Sequence, residues 1–290
     1  MTEAVKKRLP KYKRAETPPS FRLTDRDTQV LMALSRYRFL TSYQVQRLFF
    51  PTPQTTNQRL KRLFHAHYIE RIPPAFLGGF PIYTLDKTGL VLLEDLGVPE
   101  AQIKKEKKRK ILSHQALDHA LCLNDFRISL ELSLNKRALT LETFLGEQEL
   151  RHAYRVWSDR RQEEIRRVFS PDSFFKIKSG EKTLSCFSEL DRGEQPLKRI
   201  RKKLNIYREF SAVGKYQERF KGRKFRILFI IEPRWAEKGL KNKRLQNIKK
   251  EAEKLKATNV WLTTLEELKE NDMFDHIWQR AGYKAVQPFL

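Results

Sequence analysis

Cysteine is nearly missing from this chain of 290 residues: Cys122 and Cys186 stand far apart, with no paired spacing. That supports neither a disulfide framework nor a zinc site. No apolar run approaches the roughly 18 residues of a membrane-spanning helix, and no amphipathic anchor or lipidation motif replaces it. The opening MTEAVKKRLPKYKR is too polar for a secretory signal. The expectation is a reduced, cytoplasmic protein with no membrane partner. Also missing are a Gly-rich loop followed by Lys and Ser/Thr, a Cys/His nucleophile pair, and a tyrosine cluster beside a His metal triad. Tyr207 and Tyr216 have no such partners, and His114 and His119, five apart, read as surface or packing residues.

Negative charge is short as well. Against 59 Lys and Arg stand 35 Asp and Glu, a formal net charge of +24. A polyanionic partner is the natural inference, and with membranes set aside that partner is nucleic acid. Hydrophobic residues make up 40 % of the chain, enough for real cores, and the length suits about two domains.

Residues 1–20 are Lys/Arg-rich with Pro10, Pro18 and Pro19, and read as a flexible basic arm. Thr24 then precedes Asp25 and Asp27 as an N-cap, and Val30, Leu31, Leu34 and Tyr37 recur at helical spacing. A second start at Thr41-Ser42 leads Val45, Leu48 and Phe49, with Pro51 and Pro53 ending that helix. A third runs from Gln54 to about His67, burying Thr56, Leu60, Leu63 and Phe64 and turning Gln54, Gln58, Lys61, Arg62 and His65 outward. Tyr68–Ile72 and Pro81–Leu85 flank a Gly/Pro tip. Three short helices and a hairpin make a winged helix-turn-helix over residues 21–97. Its cationic outer face suits the major groove, where Gln and Arg address base edges. A helix capped by Asp86 follows, packing on the wing or joining a homodimer.

Residues 98–112 are a charged linker, with a boundary near residue 105, and residues 113–290 form the second domain. It opens on a long helix, His114–Leu134, then a strand, Leu139–Leu145, then a charge-rich helical or irregular insertion over Arg151–Arg167. Strand, turn and strand follow, with Phe174, Phe175 and Ile177 in the first and Thr183–Leu190 in the second. Gly193 and Pro196 open a helix bearing Lys198, Arg199, Arg201, Lys202 and Lys203. FRILFII, Phe225–Ile231, reads as a central strand covered on both faces. A helix, a strand at Asn259–Thr263, and a short helix with a tail complete the chain. The class is mixed α+β or α/β.

Three carboxylates fall at the strand ends. Glu189 and Asp191 are two apart and leave one face, and a hairpin brings Asp172 beside them. Such a cluster demands a cation, because like charges at short range repel.

The order αβββαβ, with Asp at the second strand and Glu-x-Asp at the third, resembles the PD-(D/E)XK restriction-endonuclease-like fold. More closely, the chain resembles the replication-relaxation family of plasmids and integrated mobile elements. The resemblance rests on LTDRDTQVLMALSRYRFLTSYQVQRLFF, on ALCLNDFRISLEL, and on PDSFF followed by ELDRGEQPLKRIRKKLNIY. It implies duplex DNA as partner, alongside a relaxase, replication initiator or helicase of the same element. In the nuclease superfamily, Asp172 and Glu189 would hold Mg²⁺ or Mn²⁺, and a lysine two residues beyond the Glu would position the water. Here that position is Asp191. Three outcomes stay open: Asp191 is a further ligand, with Lys198 or Lys176 supplying the cation; the site holds metal without cutting; or Asp191 pairs with Arg192, Arg199 or another base. The favoured function is a DNA-binding accessory protein in replication, relaxation or mobilisation, with Arg199 and Lys202 adding phosphate contacts. The alternatives are a metal-dependent endonuclease using Asp172, Glu189 and Asp191, and a transcriptional regulator.

Overall fold

The computed structural model describes residues 10, 12–18, 20, 22–73, 79–99, 103, 113–158, 162–233 and 238–290. Two compact units divide the chain, Met1–Asn124 and Asp125–Leu290. The expected boundary near residue 105, most of the charged linker and Pro74–Gly78 of the expected tip lie outside the described residues.

In the first unit, helices α1 (Asp25–Tyr37), α2 (Ser42–Phe49) and α3 (Pro53–His65) precede α4 (Lys87–Asp95). Three short antiparallel strands run between them: β1 (Leu40–Thr41), β2 (Ile69–Ile72) and β3 (Ile82–Leu85), in the order β1-β3-β2. The starts follow from local chemistry. Thr24 and Asp27 form a reciprocal capping box on α1, and Thr41 and Gln44 form another on α2. Pro53, expected to end α2, instead opens α3 behind the N-cap Thr52. A first-turn proline has no N–H to lose and brings a helical φ. Val30, Leu31, Leu34, Val45, Leu60, Leu63 and Ile69 are fully buried and form the core.

The fully buried acid of α1 is neutralised in place. Asp27, fully buried, takes the Arg59 guanidinium on both carboxylate oxygens. Burial works against the Asp27 charge, but Arg59 and the Thr24 backbone outweigh it and hold the carboxyl below its ordinary range. The arm is not wholly free. Arg14 donates to the Phe64 carbonyl at 2.9 Å, the Ile69 carbonyl at 3.0 Å, Glu70 at 2.8 Å and Asp86 at 2.7 Å. The rigid guanidinium fork explains why an arginine is held within a stretch expected to be a flexible basic arm.

The second unit is a mixed α+β fold on a large mixed sheet. The division falls inside α5 (His114–Asn135), whose second half belongs here. Next come β4 (Thr140–Gly146), the short α6 (Glu147–Leu150), β5 (His152–Ser158), β6 (Glu163–Phe169), β7 (Ser173–Ser179) and β8 (Lys182–Asp191). After them run α7 (Leu197–Ala212), α8 (Lys215–Phe220), β9 (Arg226–Ile231), α9 (Lys238–Lys254), β10 (Val260–Thr264), α10 (Leu265–Glu270), β11 (Trp278–Arg280) and β12 (Val286–Gln287). The seven-stranded order is β12-β11-β10-β9-β8-β7-β4. The pairs β4–β7 and β7–β8 are antiparallel, whereas β8, β9 and β10 run parallel.

Alternation along β7 sorts its side chains to two faces. Phe174 packs with Phe187, Tyr207, Phe210 and Phe229 in the core that also takes Leu245 and Ile248 of α9. Phe175 meets Phe126 of α5 at 5.7 Å on the other face. Helices thus cover both faces of the sheet, and β9 is buried throughout except at Arg226.

Two expectations need correction. The described residues of 151–167 form no helix: β5 and β6 pair as antiparallel strands from His152↔Phe169 to Ser158↔Glu163. Its charge content hides a period of two, in which Tyr154 and Phe169 face the core while Arg155, Trp157, Glu164 and Arg166 are exposed. The C-terminal tail also contributes β11 and β12, too short to announce themselves by pattern.

Gly89 marks the tightest approach in the first unit, since a Cβ there would lie 2.2 Å from the Tyr68 carbonyl oxygen. Ala in place of Gly gains about 1 kcal/mol of helix propensity. The overlap costs roughly 1–3 kcal/mol, and backbone is what must move. Gly89→Ala should therefore lower the urea midpoint of the first unit's unfolding, and an unchanged or raised midpoint refutes this packing.

Candidate functional site

The β7–β8 register places Ser173 opposite Ser188, so Asp172 arrives beside Glu189. The Leu190 N–H donates to Asp172 Oδ2 at 2.7 Å. Glu189, only 2 % exposed, accepts a hydrogen bond from the Tyr207 hydroxyl at 2.6 Å on Oε1 and pairs with Lys203 through Oε2. Lys203 and Tyr207 are four apart on α7 and share its inward face.

Asp191 turns to another partner. Arg244 of α9 donates to Oδ1 at 3.0 Å and to Oδ2 at 2.8 Å, a bidentate fork. The Gly193 N–H adds a third bond at 2.7 Å, reached through a turn where Gly193 has φ +77° and lies against Pro233. One of the three open outcomes paired Asp191 with Arg192, Arg199 or another nearby base; the base it meets is Arg244, 53 positions away.

The acidic cluster thus splits into two compensated halves. In the first, two carboxylates meet one ammonium in a buried setting. Burial, with Asp172 adding repulsion, pushes Glu189 up to about 7, while Lys203 and Tyr207 pull it back. Burial opposes the Lys203 charge, yet Glu189 and Asp172 overcome it and hold the ammonium above its ordinary range. Burial and the neighbouring Glu189 raise the Tyr207 phenol as well.

Lys198 does not join the carboxylates. Five residues from Lys203 on a helix is about 140° of rotation, which turns it outward. It lines a shallow cleft of about 580 Å³ with Arg167, Arg199, Arg201 and Lys202. Lys176 on β7 makes no ion pair among the described residues. Lys203, Tyr207 and Arg244 are the groups that the spacing did not single out; Lys203 and Tyr207 carried a signal in their separation of four behind an acidic strand end.

These donors do not fit Mg²⁺ or Mn²⁺. Hard cations need several uncommitted oxygens. Here Lys203 and Tyr207 occupy Glu189, Arg244 occupies both oxygens of Asp191, and Asp172 accepts a backbone N–H. Among the described residues no group of three or more His, Cys, Asp or Glu side chains is placed to hold a metal ion.

The first unit supplies a second surface. Gln54, Gln58, Lys61 and Arg62 are exposed on α3, and Thr55 and Asn57 extend the same polar face. His65, expected beside them, is buried: its Nδ1 accepts the Ala15 N–H at 3.0 Å, and burial with Lys61 nearby lowers its pKa. Its place at the inward end of the helix, beside Phe64, explains the difference.

The family model for replication-relaxation proteins matches residues 31–223, more than half of the chain. The chain belongs to the replication-relaxation family. The match runs from within α1 through α8 and so takes in the polar face of α3, the carboxylates of β8 and the two partners of Glu189 on α7, while Arg244 lies beyond it. No curated protein matches the chain. Among solved structures, the restriction endonuclease FokI aligns at 12 % identity over 84 % of this chain and 42 % of its own, with a TM-score of 0.31. FokI bound to DNA aligns at 14 % identity over 87 % and 45 %, with a TM-score of 0.28. The chain spans less than half the length of both, and scores of this size establish no common fold. Among the described residues, no helix of this family member is long and apolar enough to cross a membrane.

The Glu189–Lys203 pair predicts a pH signature. A carboxyl whose folded pKa of about 7 exceeds its ordinary 4.5 stabilises the fold fully below 4.5, and that contribution is lost as pH rises through 7. Glu189→Gln should therefore gain stability over the wild type as pH rises across this window, read by thermal melts; parallel curves refute the assignment. Lys203→Met, which strands the carboxylate, should cost roughly 3 kcal/mol at alkaline pH and less where Glu189 is protonated.

Proposed function

We propose that this replication-relaxation protein is a DNA-binding accessory factor of a plasmid or integrative mobile element, acting in replication, relaxation or mobilisation. In this reading residues 21–97 are a winged helix-turn-helix, α3 enters the major groove of duplex DNA, and the hairpin β2–β3 is the wing. The run α5–β4–β7–β8–α7–β9 is a PD-(D/E)XK-like core used as a binding platform, with Arg199 and Lys202 of α7 toward phosphates. It works in the cytoplasm, beside a relaxase, replication initiator or helicase of the same element.

The observation that carries the reading is the outer face of α3. Gln54, Gln58, Lys61 and Arg62 are exposed together on a helix containing no Asp or Glu, in a chain of net charge +24. Cationic residues there meet phosphates, and the glutamines are the side chains that pair with adenine edges. The arginine of this helix that points inward, Arg59, is matched by Asp27, so the outward charges are surplus to the fold.

Catalysis on DNA is not part of the proposal, because the three carboxylates are committed to Lys203, Tyr207, Arg244 and a backbone N–H. Without an uncommitted acidic pair, the core offers neither a metal seat nor a base beside a phosphodiester.

Fluorescence anisotropy on labelled duplex tests the reading. Affinity should fall steeply with salt, and Lys61→Gln/Arg62→Gln should weaken binding and reduce the log–log salt slope by roughly 2, near 0.9 for each phosphate no longer neutralised. A flat slope, or a double variant that binds like the wild type, overturns it. Supercoiled plasmid with Mg²⁺ or Mn²⁺ should remain un-nicked. Nicking abolished by Asp172→Ala and Glu189→Ala would replace the platform with an endonuclease.

A further inference from the structure

A second charged feature lies at the other end of the parallel strands. Asp172, Glu189 and Asp191 sit where β8 ends, whereas a cleft of about 790 Å³ opens where β8, β9 and β10 begin. Six cations line it: Arg208, Arg223, Lys224, Arg226, Lys256 and Arg280. No Asp or Glu is in its wall.

The contrast with the rest of the protein is chemical. Several inward charges elsewhere meet carboxylates, Arg59 with Asp27, Lys203 with Glu189 and Arg244 with Asp191, although buried Lys249 donates to the Tyr283 carbonyl. In the cleft, Arg226 donates to the Phe289 carbonyl and Arg280 to the Thr258 carbonyl at 2.8 Å, both neutral acceptors. The two guanidiniums stack on Trp261 at 4.3 and 5.3 Å from its ring centre, so two like charges share one indole. Burial, with Arg280 adding repulsion, depresses the Arg226 pKa. Arg208, Arg223, Lys224 and Lys256 are exposed and form no ion pair among the described residues. The wall also holds Asn205, whose Oδ1 is buried without a hydrogen-bond partner.

Cations gathered around a concave space without a counter-charge repel one another until an anion enters. Guanidinium forks suit phosphate oxygens, and the unpartnered Asn205 amide oxygen suits a donor such as a sugar hydroxyl or a base amine. We infer that the cleft at the start of β8, β9 and β10 binds a phosphate-bearing nucleotide unit through Arg208, Arg223, Lys224, Arg226, Lys256 and Arg280. The unit is either a segment of a nucleic acid strand or a free nucleotide. The site requires nothing from α3 and stands apart from the duplex-binding reading.

The test uses the full chain and two triple variants of equal charge. Arg208→Gln/Arg223→Gln/Lys224→Gln removes exposed cleft cations, and Lys178→Gln/Lys182→Gln/Lys250→Gln removes exposed lysines outside it. Melting curves confirm that both fold. Titration calorimetry with pyrophosphate and with a purine nucleoside triphosphate, and anisotropy with a labelled single-stranded oligonucleotide, report binding. The cleft triple should weaken at least one of these by about tenfold or more, with the control triple close to wild type, because phosphate affinity follows the number of cations that meet the anion. Loss confined to the triphosphate and pyrophosphate identifies a free nucleotide, and loss on the oligonucleotide identifies a strand. Equal losses in both triples, or no binding of any probe by the wild type, overturn the site. Neither result alters the effect of Lys61→Gln/Arg62→Gln on duplex, so the two readings fail separately.

Discussion

Placing Glu189 and Asp191 at the buried end of β8 obliges two helices to lie where they do. An ionised carboxylate inside a protein is tolerated only with a partner, because the desolvation cost is several kcal/mol. Each of these acids takes a different helix: Glu189 is matched from α7 by Lys203 and Tyr207, and Asp191 from α9 by Arg244. Tyr207 also belongs to the aromatic core, with Phe169 at 5.0 Å and Phe187 at 5.3 Å from its ring. One side chain thus ties the hydrophobic layer to the polar end of the sheet. Arg201 repeats the pattern by joining α7 to Glu251 of α9.

The same constraint sorts charge across the molecule. Carboxylates are the scarcer sign, and many sit at partly or fully buried positions where a cation answers them: Asp27 with Arg59, Asp86 with Arg14, Asp125 with Lys269, Asp272 with Arg137. What remains outside is a surplus of Lys and Arg over carboxylate. That surplus faces outward on α3, along α7, and around the cleft at the start of the parallel strands. Among the described residues, part of the net charge of +24 is thus gathered in patches on the surface.

Local order was legible wherever it rests on near neighbours. Thr24 and Thr41 as caps, the buried stripe of α1, and the apolar run of β9 all follow from spacing of a few residues. Where charge content competed with period, period won. Arg151–Arg167 looks helical by its Arg and Glu count, yet Tyr154 and Phe169 alternate inward against exposed Arg155 and Arg166, and a hairpin results. His65 went astray for a related reason: at the last turn of α3 it takes the Ala15 N–H on its Nδ1, and a position on the polar stripe becomes interior.

What the amino-acid order determined by itself was the surplus of positive charge, the presence of two cores, and the placing of three acids at strand ends. These depend on composition and on contacts within a hairpin. Which cation answers each acid was decided only in three dimensions. Arg244 reaches Asp191 because β8 and β9 run parallel and α9, which follows β9, lies against the end of β8. Lys203 rather than Lys198 reaches Glu189 because a packed helix offers one face to the sheet and turns the other to water.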